Sequence, residues 1–213
     1  MKLLIAIPTI DYIHYAFAQS LTALVLHLKN RGEEFAVAFQ GNTLVYAARD
    51  TLGRTAIEGG FEQVLWLDAD MIFPKTLVED LRKSGKGFVT GIYHARRPPH
   101  HSCVFSSLSP ARRVESYPDE VFRIAGCGFG CVLMDTEILR DVMNTTGDLF
   151  LPDARFGEDL AFCERAGKLG HELWCDPAVK PGHIGQMAVY PEAEEKWTEG
   201  CGYERIYDRE VLR

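Results

Sequence analysis

Two aspartates separated by one residue, Asp68-Ala69-Asp70, end the apolar run Val64-Leu65-Trp66-Leu67. Carboxylates this close repel each other unless something positive lies between or beside them. A divalent cation meets that need, because hard cations take oxygen ligands. The same spacing also serves a helix cap or the start of a turn, so the pair alone leaves both readings open. Further along, Gly157-Glu158-Asp159 offers two more acids at a predicted helix start, where the helix dipole favours negative charge. His183 follows in the constrained stretch Pro181-Gly182-His183-Ile184-Gly185. Arg96-Arg97-Pro98-Pro99-His100-His101 is basic and stiffened by proline; it reads as a surface loop or as a flap that meets phosphate or an acceptor.

These groups need a scaffold, and the pattern around them supplies one. Four large apolar residues in succession predict a short strand buried on both faces, and Pro74 discourages its continuation. Ligands of open α/β sheets bind at the carboxyl ends of the strands, which puts Asp68 and Asp70 at the mouth of the crevice. Upstream, residues 2–7 read as a first strand ended by Pro8-Thr9, 13–28 as a helix, and 35–39 as a second strand. Gly41-Asn42 breaks that strand, and Asn42 is expected to cap a helix from Thr43 to about Ile57. Strand and helix alternate with short joints, the pattern of a parallel sheet with crossover helices.

Beyond the aspartates, 74–83 predicts a short helix and 87–93 a strand. Segments 121–124 and 131–134 read as strands on either side of Gly126-Cys127-Gly128-Phe129-Gly130. That glycine run leads into a strand rather than a helix, so it is weak evidence for a dinucleotide fingerprint. It fits a close approach of backbone to a ligand, or a tight turn. A helix over 136–143 with Asp135 as its cap, a helix from Glu158 to Leu169-Gly170 and a strand over 173–175 complete the pattern.

With 213 residues, 46% apolar and 25% charged, the chain suits one soluble globular domain with a C-terminal extension. A net charge of −7 argues against an extended nucleic-acid surface. No apolar run is long enough to span a bilayer, and Met1-Lys2 leads directly into a strand, so the expected compartment is the cytoplasm. Cys103, Cys127, Cys131, Cys163, Cys175 and Cys201 show no paired spacing, which favours reduced thiols. Trp197, Tyr203 and Tyr207 in the tail suit a packed helix, a lid or a homodimer contact.

Taken in order, these elements resemble the nucleotide-sugar-dependent glycosyltransferases of the GT-A fold, close to family-2-like members. Ile5-Ala6-Ile7-Pro8-Thr9 resembles their opening strand and nucleotide-binding turn, and residues 42–54, with Arg49 at the centre, the helix before their metal motif. Leu67-Asp68-Ala69-Asp70-Met71 resembles the Asp-X-Asp motif, Gly157-Glu158-Asp159 their Gly-Glu-Asp element, and Gly182-His183-Ile184-Gly185 their late histidine. Gln40 stands where an acidic residue often reads the nucleobase, so the base is left open.

The resemblance implies a single GT-A (Rossmann-like) α/β domain over 1–189, its mixed, mostly parallel sheet flanked by helices, with 190–213 as the extension. It implies transfer of a sugar from a nucleoside-diphosphate donor to the hydroxyl of a saccharide or other acceptor. Asp70 and His183 would hold Mn²⁺ or Mg²⁺, with Asp68 reaching the ribose or binding the ion through water. Pro8, Thr9, Arg49, Asp68 and Ala69 would line the donor. Asp159 would serve as general base with inversion, oriented by Glu158. Two other readings share the Asp-X-Asp feature or the pocket: a haloacid-dehalogenase-type phosphohydrolase, in which the first aspartate is a nucleophile, and a non-catalytic nucleotide-sugar-binding module.

Overall fold

The computed structural model describes residues 1–185; the extension assigned to 190–213, with Trp197, Cys201, Tyr203 and Tyr207, lies outside the described residues. In chain order the elements are β1 (Leu3–Pro8), α1 (Tyr15–Asn30), β2 (Phe35–Gln40), α2 (Val45–Glu58), β3 (Gln63–Leu67), β4 (Met71–Ile72) and α3 (Leu77–Arg82). They continue with β5 (Phe88–Gly91), β6 (Val104–Leu108), β7 (Ala111–Arg113), β8 (Phe122–Ile124), β9 (Gly126–Cys127) and β10 (Cys131–Asp135). The last are α4 (Thr136–Thr146), α5 (Glu158–Lys168), β11 (Leu173–Asp176) and β12 (Gly182–His183).

Seven strands form one sheet in the order β2-β1-β3-β10-β5-β11-β8. The first crossovers give the parallel pairs β1–β2 and β1–β3. β10 then inserts antiparallel between β3 and β5, while β11 lies parallel to β5 and β8 closes the edge antiparallel. The sheet is therefore mixed, with most of its strands running one way.

Alternation along the central strands divides the core in two. Leu4, Ala6, Val64 and Trp66 join one apolar layer with Phe129, Phe150 and Phe162. Leu3, Ile5, Ile7, Leu65 and Leu67 join the other with Phe17, Phe73 and Leu77. Every residue of β3 is buried, as its unbroken apolar run requires. Trp66 meets Phe150 edge-on at 5.0 Å and Phe129 at 6.0 Å; burying each such ring is worth about 1.5–3 kcal/mol. This rigid centre carries the acid turn on its carboxyl end. Among the described residues, no helix is long and apolar enough to cross a membrane, and the cysteines are free thiols.

Two expected caps differ. Asn42 does not cap α2: it sits at φ 57°, in the left-handed region, and the cap position falls to Leu44 without a side-chain bond. Asp135 does precede α4, but its carboxylate accepts from Gln63 Nε2 at 3.1 Å rather than from the helix. A third cap was not expected. His14 opens α1, its Nδ1 accepting from the Ala16 N–H at 3.1 Å.

Candidate functional site

The turn after β3 is held from two sides. The Asp68 N–H donates to the Gly130 carbonyl at 3.1 Å, and the Met71 N–H returns to the Asp68 carbonyl at 3.1 Å. β4 then pairs antiparallel with β12, placing His183 opposite Met71, and the Ile184 N–H donates to the Asp70 carbonyl at 2.8 Å. This ribbon brings the late histidine to the second aspartate: His183 Nε2 lies 3.4 Å from Asp70 Oδ2.

The other ring nitrogen, Nδ1, is 2.9 Å from the His94 carbonyl oxygen. A carbonyl only accepts, so the proton sits on Nδ1 and Nε2 is the nitrogen turned to the carboxylate. Metal-binding histidines are oriented in this manner by a partner on the far nitrogen. Arg96, from the basic segment, also reaches Asp70 Oδ2 through Nη1; its guanidinium supplies there the positive charge that a cation would bring. Burial works against a charge on Asp70, but the hydrogen bond and charge of His183, with Arg96, hold its carboxyl below the ordinary range. Burial likewise works against a charged His183, and the hydrogen bond and charge of Asp70 outweigh it, raising the imidazole's pKa.

Asp68 faces a different partner. Arg49, buried on α2, donates from Nη2 to Asp68 Oδ1 at 2.8 Å, and its Nε lies 3.7 Å from Glu158 Oε1. The guanidinium also rests over the Phe129 ring, 5.3 Å from its centre. Burial alone would lower the Arg49 pKa; Asp68, Glu158 and Asp159 together raise it. Arg49 thus joins the acid turn to the first turn of α5, while its Nε and Nη1 have no hydrogen-bond partner among the described residues.

Asp159 sits beside that bridge, with Oδ1 accepting from the Leu160 N–H at 2.7 Å. Burial pushes its pKa up; Arg49 opposes this and Glu158 adds to it. The carboxyl is therefore a stronger base than an ordinary aspartate. Glu158 and Asp159 do not cap their own helix by a side-chain bond; the cap residue is Gly157.

Pro8 and Thr9 end β1 at the same edge. The Thr9 N–H donates to the Gln40 carbonyl at 2.9 Å, and its hydroxyl donates to the Tyr12 carbonyl at 3.2 Å. Ala69 offers its carbonyl to the His14 N–H at 3.4 Å, tying this loop to the acid turn. Among the described residues singled out from sequence, Asp70 pairs with His183, and Asp68 gathers with Arg49, Glu158 and Asp159, while Pro8, Thr9 and Ala69 lie in the loops beside them.

Tyr93 escaped the sequence reading. It is buried, its hydroxyl accepts from the Gly130 N–H at 2.9 Å, and its ring meets His183 edge-on at 5.7 Å. A Cβ at Gly128 would lie 2.5 Å from the Tyr93 hydroxyl, and one at Gly130 3.0 Å from it. Gly128 and Gly130 thus let backbone pass against a buried tyrosine, while Gly126 packs against Cys163, Leu108 and Leu160. The signal was present in the Gly-X-Gly spacing, but nothing in sequence named the partner.

Among the described residues, no group of three or more His, Cys, Asp and Glu side chains gathers as a metal cage. The donor set on offer is one carboxylate and one imidazole. That set fits a divalent ion whose remaining positions would belong to a phosphate ligand and water.

Known structures share this architecture. A197 from STIV superposes with a TM-score of 0.57 at 19% identity, over 87% of this chain and 87% of that one. GalNAc-T7, crystallised with UDP, GalNAc and Mn²⁺, gives 0.61 at 12% identity, over 96% of this chain and 48% of that one. The catalytic domain of Drosophila beta1,4-galactosyltransferase 7, in complex with xylobiose, gives 0.54 at 16% identity over 98% and 80%. No protein-family model matches the sequence, and no curated protein does. At these identities the likeness is one of fold. The mixed sheet, with its acid turn at the end of β3, is the GT-A fold.

Proposed function

We propose that this chain is a metal-dependent glycosyltransferase that moves a sugar from a nucleoside-diphosphate sugar to an acceptor hydroxyl. The observation that carries the reading is the approach of His183 to Asp70, with the imidazole anchored from behind by His94. Two neighbours of the same fold were crystallised with UDP and Mn²⁺ or with a saccharide, which supports the class.

In this reading Asp70 and His183 hold Mn²⁺ or Mg²⁺. An ion held there would supply positive charge against the diphosphate. Pro8, Thr9 and Ala69 would line the nucleotide, and Asp68 would reach the ribose hydroxyls or the ion through water. Arg49 fixes Asp68 and keeps Glu158 near Asp159. Asp159 takes the proton from the acceptor hydroxyl as its oxygen bonds to the anomeric carbon. The bond from that carbon to the phosphate oxygen breaks, and its electron pair leaves with the diphosphate. Attack opposite the leaving group inverts the anomeric centre. Base assistance of this kind is worth about 10²–10⁴-fold, and burial has raised Asp159's basicity towards the task.

A thermal-shift screen of nucleotide sugars with Mn²⁺, followed by calorimetry with the best nucleoside diphosphate, tests the reading. Binding that requires the metal is the expected result. Metal-independent binding, or none, would falsify it.

A further inference from the structure

Residues 94–102 face the β6–β7 hairpin across an open cleft of about 960 Å³. The chain as a whole is acidic, at −7, yet this cleft is lined by Arg112, Arg113, His100 and His101, and Glu115 is the one carboxylate among its described lining residues. Arg113 is already engaged: Nη1 donates to the Ser102 carbonyl, and its guanidinium lies 4.6 Å from the centre of the Phe105 ring. Arg112 uses its carbonyl, which accepts from the Ser106 hydroxyl at 3.3 Å. Its exposed guanidinium has no carboxylate partner among the described residues.

The cleft also has an aromatic wall. His94 and Tyr117 stack with ring centres 6.3 Å apart and planes 26° from parallel, joined by a 3.1 Å contact between Nε2 and the hydroxyl. A flat amphipathic pair of this kind suits the apolar face and hydroxyl rim of a sugar ring.

Two strands of contact join the cleft to the acids. His94 gives its ring to the cleft and its carbonyl to His183. Ser102 lines the cleft, and the next residue, Cys103, lies in the fields of Arg113, Asp159 and Asp68 together. Cys103 also accepts through its carbonyl from the Gly128 N–H at 2.9 Å, and Asp159 Oδ2 is 3.6 Å from where a Gly128 Cβ would stand. Through Cys103 and Gly128 the wall of the cleft is joined to the segment beside Asp159.

We propose that this cleft seats the anionic end of the acceptor, a saccharide whose phosphate or carboxylate is read by Arg112. The inference rests on the glycosyltransferase reading for its role, but not for its charge preference. Glucose 6-phosphate, glucuronate and glucose, titrated at constant ionic strength and followed by NMR, test it in wild type and in Arg112→Glu. UDP with Mn²⁺ is titrated against the same samples to report on the donor site independently.

The expected result is that at least one anion binds about tenfold more tightly than glucose, as one charge-assisted hydrogen bond allows, and that Arg112→Glu removes the difference. The two anions distinguish a phosphate from a carboxylate. Equal binding of all three sugars, no binding of either anion at millimolar concentration, or a preference that survives Arg112→Glu overturns the inference. If UDP binds with Mn²⁺ but no preference exists, this inference alone falls. If the preference exists and UDP does not bind, the cleft stands as an anion site and the transferase reading falls.

Discussion

His183 approaches Asp70 to 3.4 Å with its rear nitrogen already committed to the His94 carbonyl. A neutral imidazole in that tautomer turns a lone pair towards a carboxylate, an arrangement that needs either a proton or a cation between the two. Arg96 meets part of that need from the side.

His183→Ala and Asp70→Asn are each expected to weaken Mn²⁺-dependent UDP binding about 100-fold or more, since even indirect partners of metal ligands are worth about 10–100-fold. Calorimetry with and without Mn²⁺ measures this. Wild-type affinity in either variant would remove that residue from the metal site.

On the proposed metal site, Arg96 would compete with the ion for Asp70. Its side chain is 52% exposed, and pairs of that kind contribute about 0.2–1 kcal/mol, so the guanidinium yields readily to a divalent cation. Arg96→Ala should bind Mn²⁺ alone up to about fivefold more tightly, the equivalent of that energy. Electron paramagnetic resonance of free Mn²⁺ reads the change, and a loss of affinity would contradict it.

Asp159→Asn separates chemistry from stability. Turnover should fall about 10²–10⁴-fold. In wild type the folded-state pKa of Asp159 lies above the ordinary 3.8, so the folded protein holds the proton more tightly and loses stability as pH rises from 3.8 through the raised value. Asparagine has no such loss. The stability of the variant relative to wild type should therefore climb across that window and level off above it, as urea melts at a series of pH values would report. A relative stability that declines with pH would show that burial does not govern this carboxyl.

Gly128→Ala sets a methyl group 2.5 Å from the Tyr93 hydroxyl, and overpacking of a filled core costs about 1–3 kcal/mol. Tyr93→Phe removes the clashing atom and leaves the Gly130 N–H without its acceptor, at about 1–3 kcal/mol. The double variant should be more stable than the sum of the two losses allows. Strict additivity in denaturant melts would mean that the two residues do not share the space.

The central strands and main helices were legible because each carries a strong period or an unbroken apolar run. β3 and β1 are buried throughout, and the two layers follow from plain alternation. The hairpin Val104–Leu108 and Ala111–Arg113 was not legible: its outer residues are polar and exposed, so no contrast marks its faces. β4 and β12 are two residues each, too short for any pattern, yet they assemble the Asp70–His183 pair. Local preference misled at Asn42, which fits a cap by type, while tertiary contacts hold it at positive φ with its N–H on the Ile10 carbonyl at 3.0 Å. Arg49 was expected from sequence to line the donor; only the fold could show that it spans Asp68 and Glu158.

The β4–β12 ribbon has a bearing on biosynthesis. Its first half emerges early and its second only after the whole sheet, since β12 is the final strand of the described chain. A growing polypeptide can therefore complete its sheet and both apolar layers while it still has no imidazole to offer Asp70. On the proposed metal site, a chain that stops short of β12 would lack half of the ion's protein ligands, however much of its sheet it had formed.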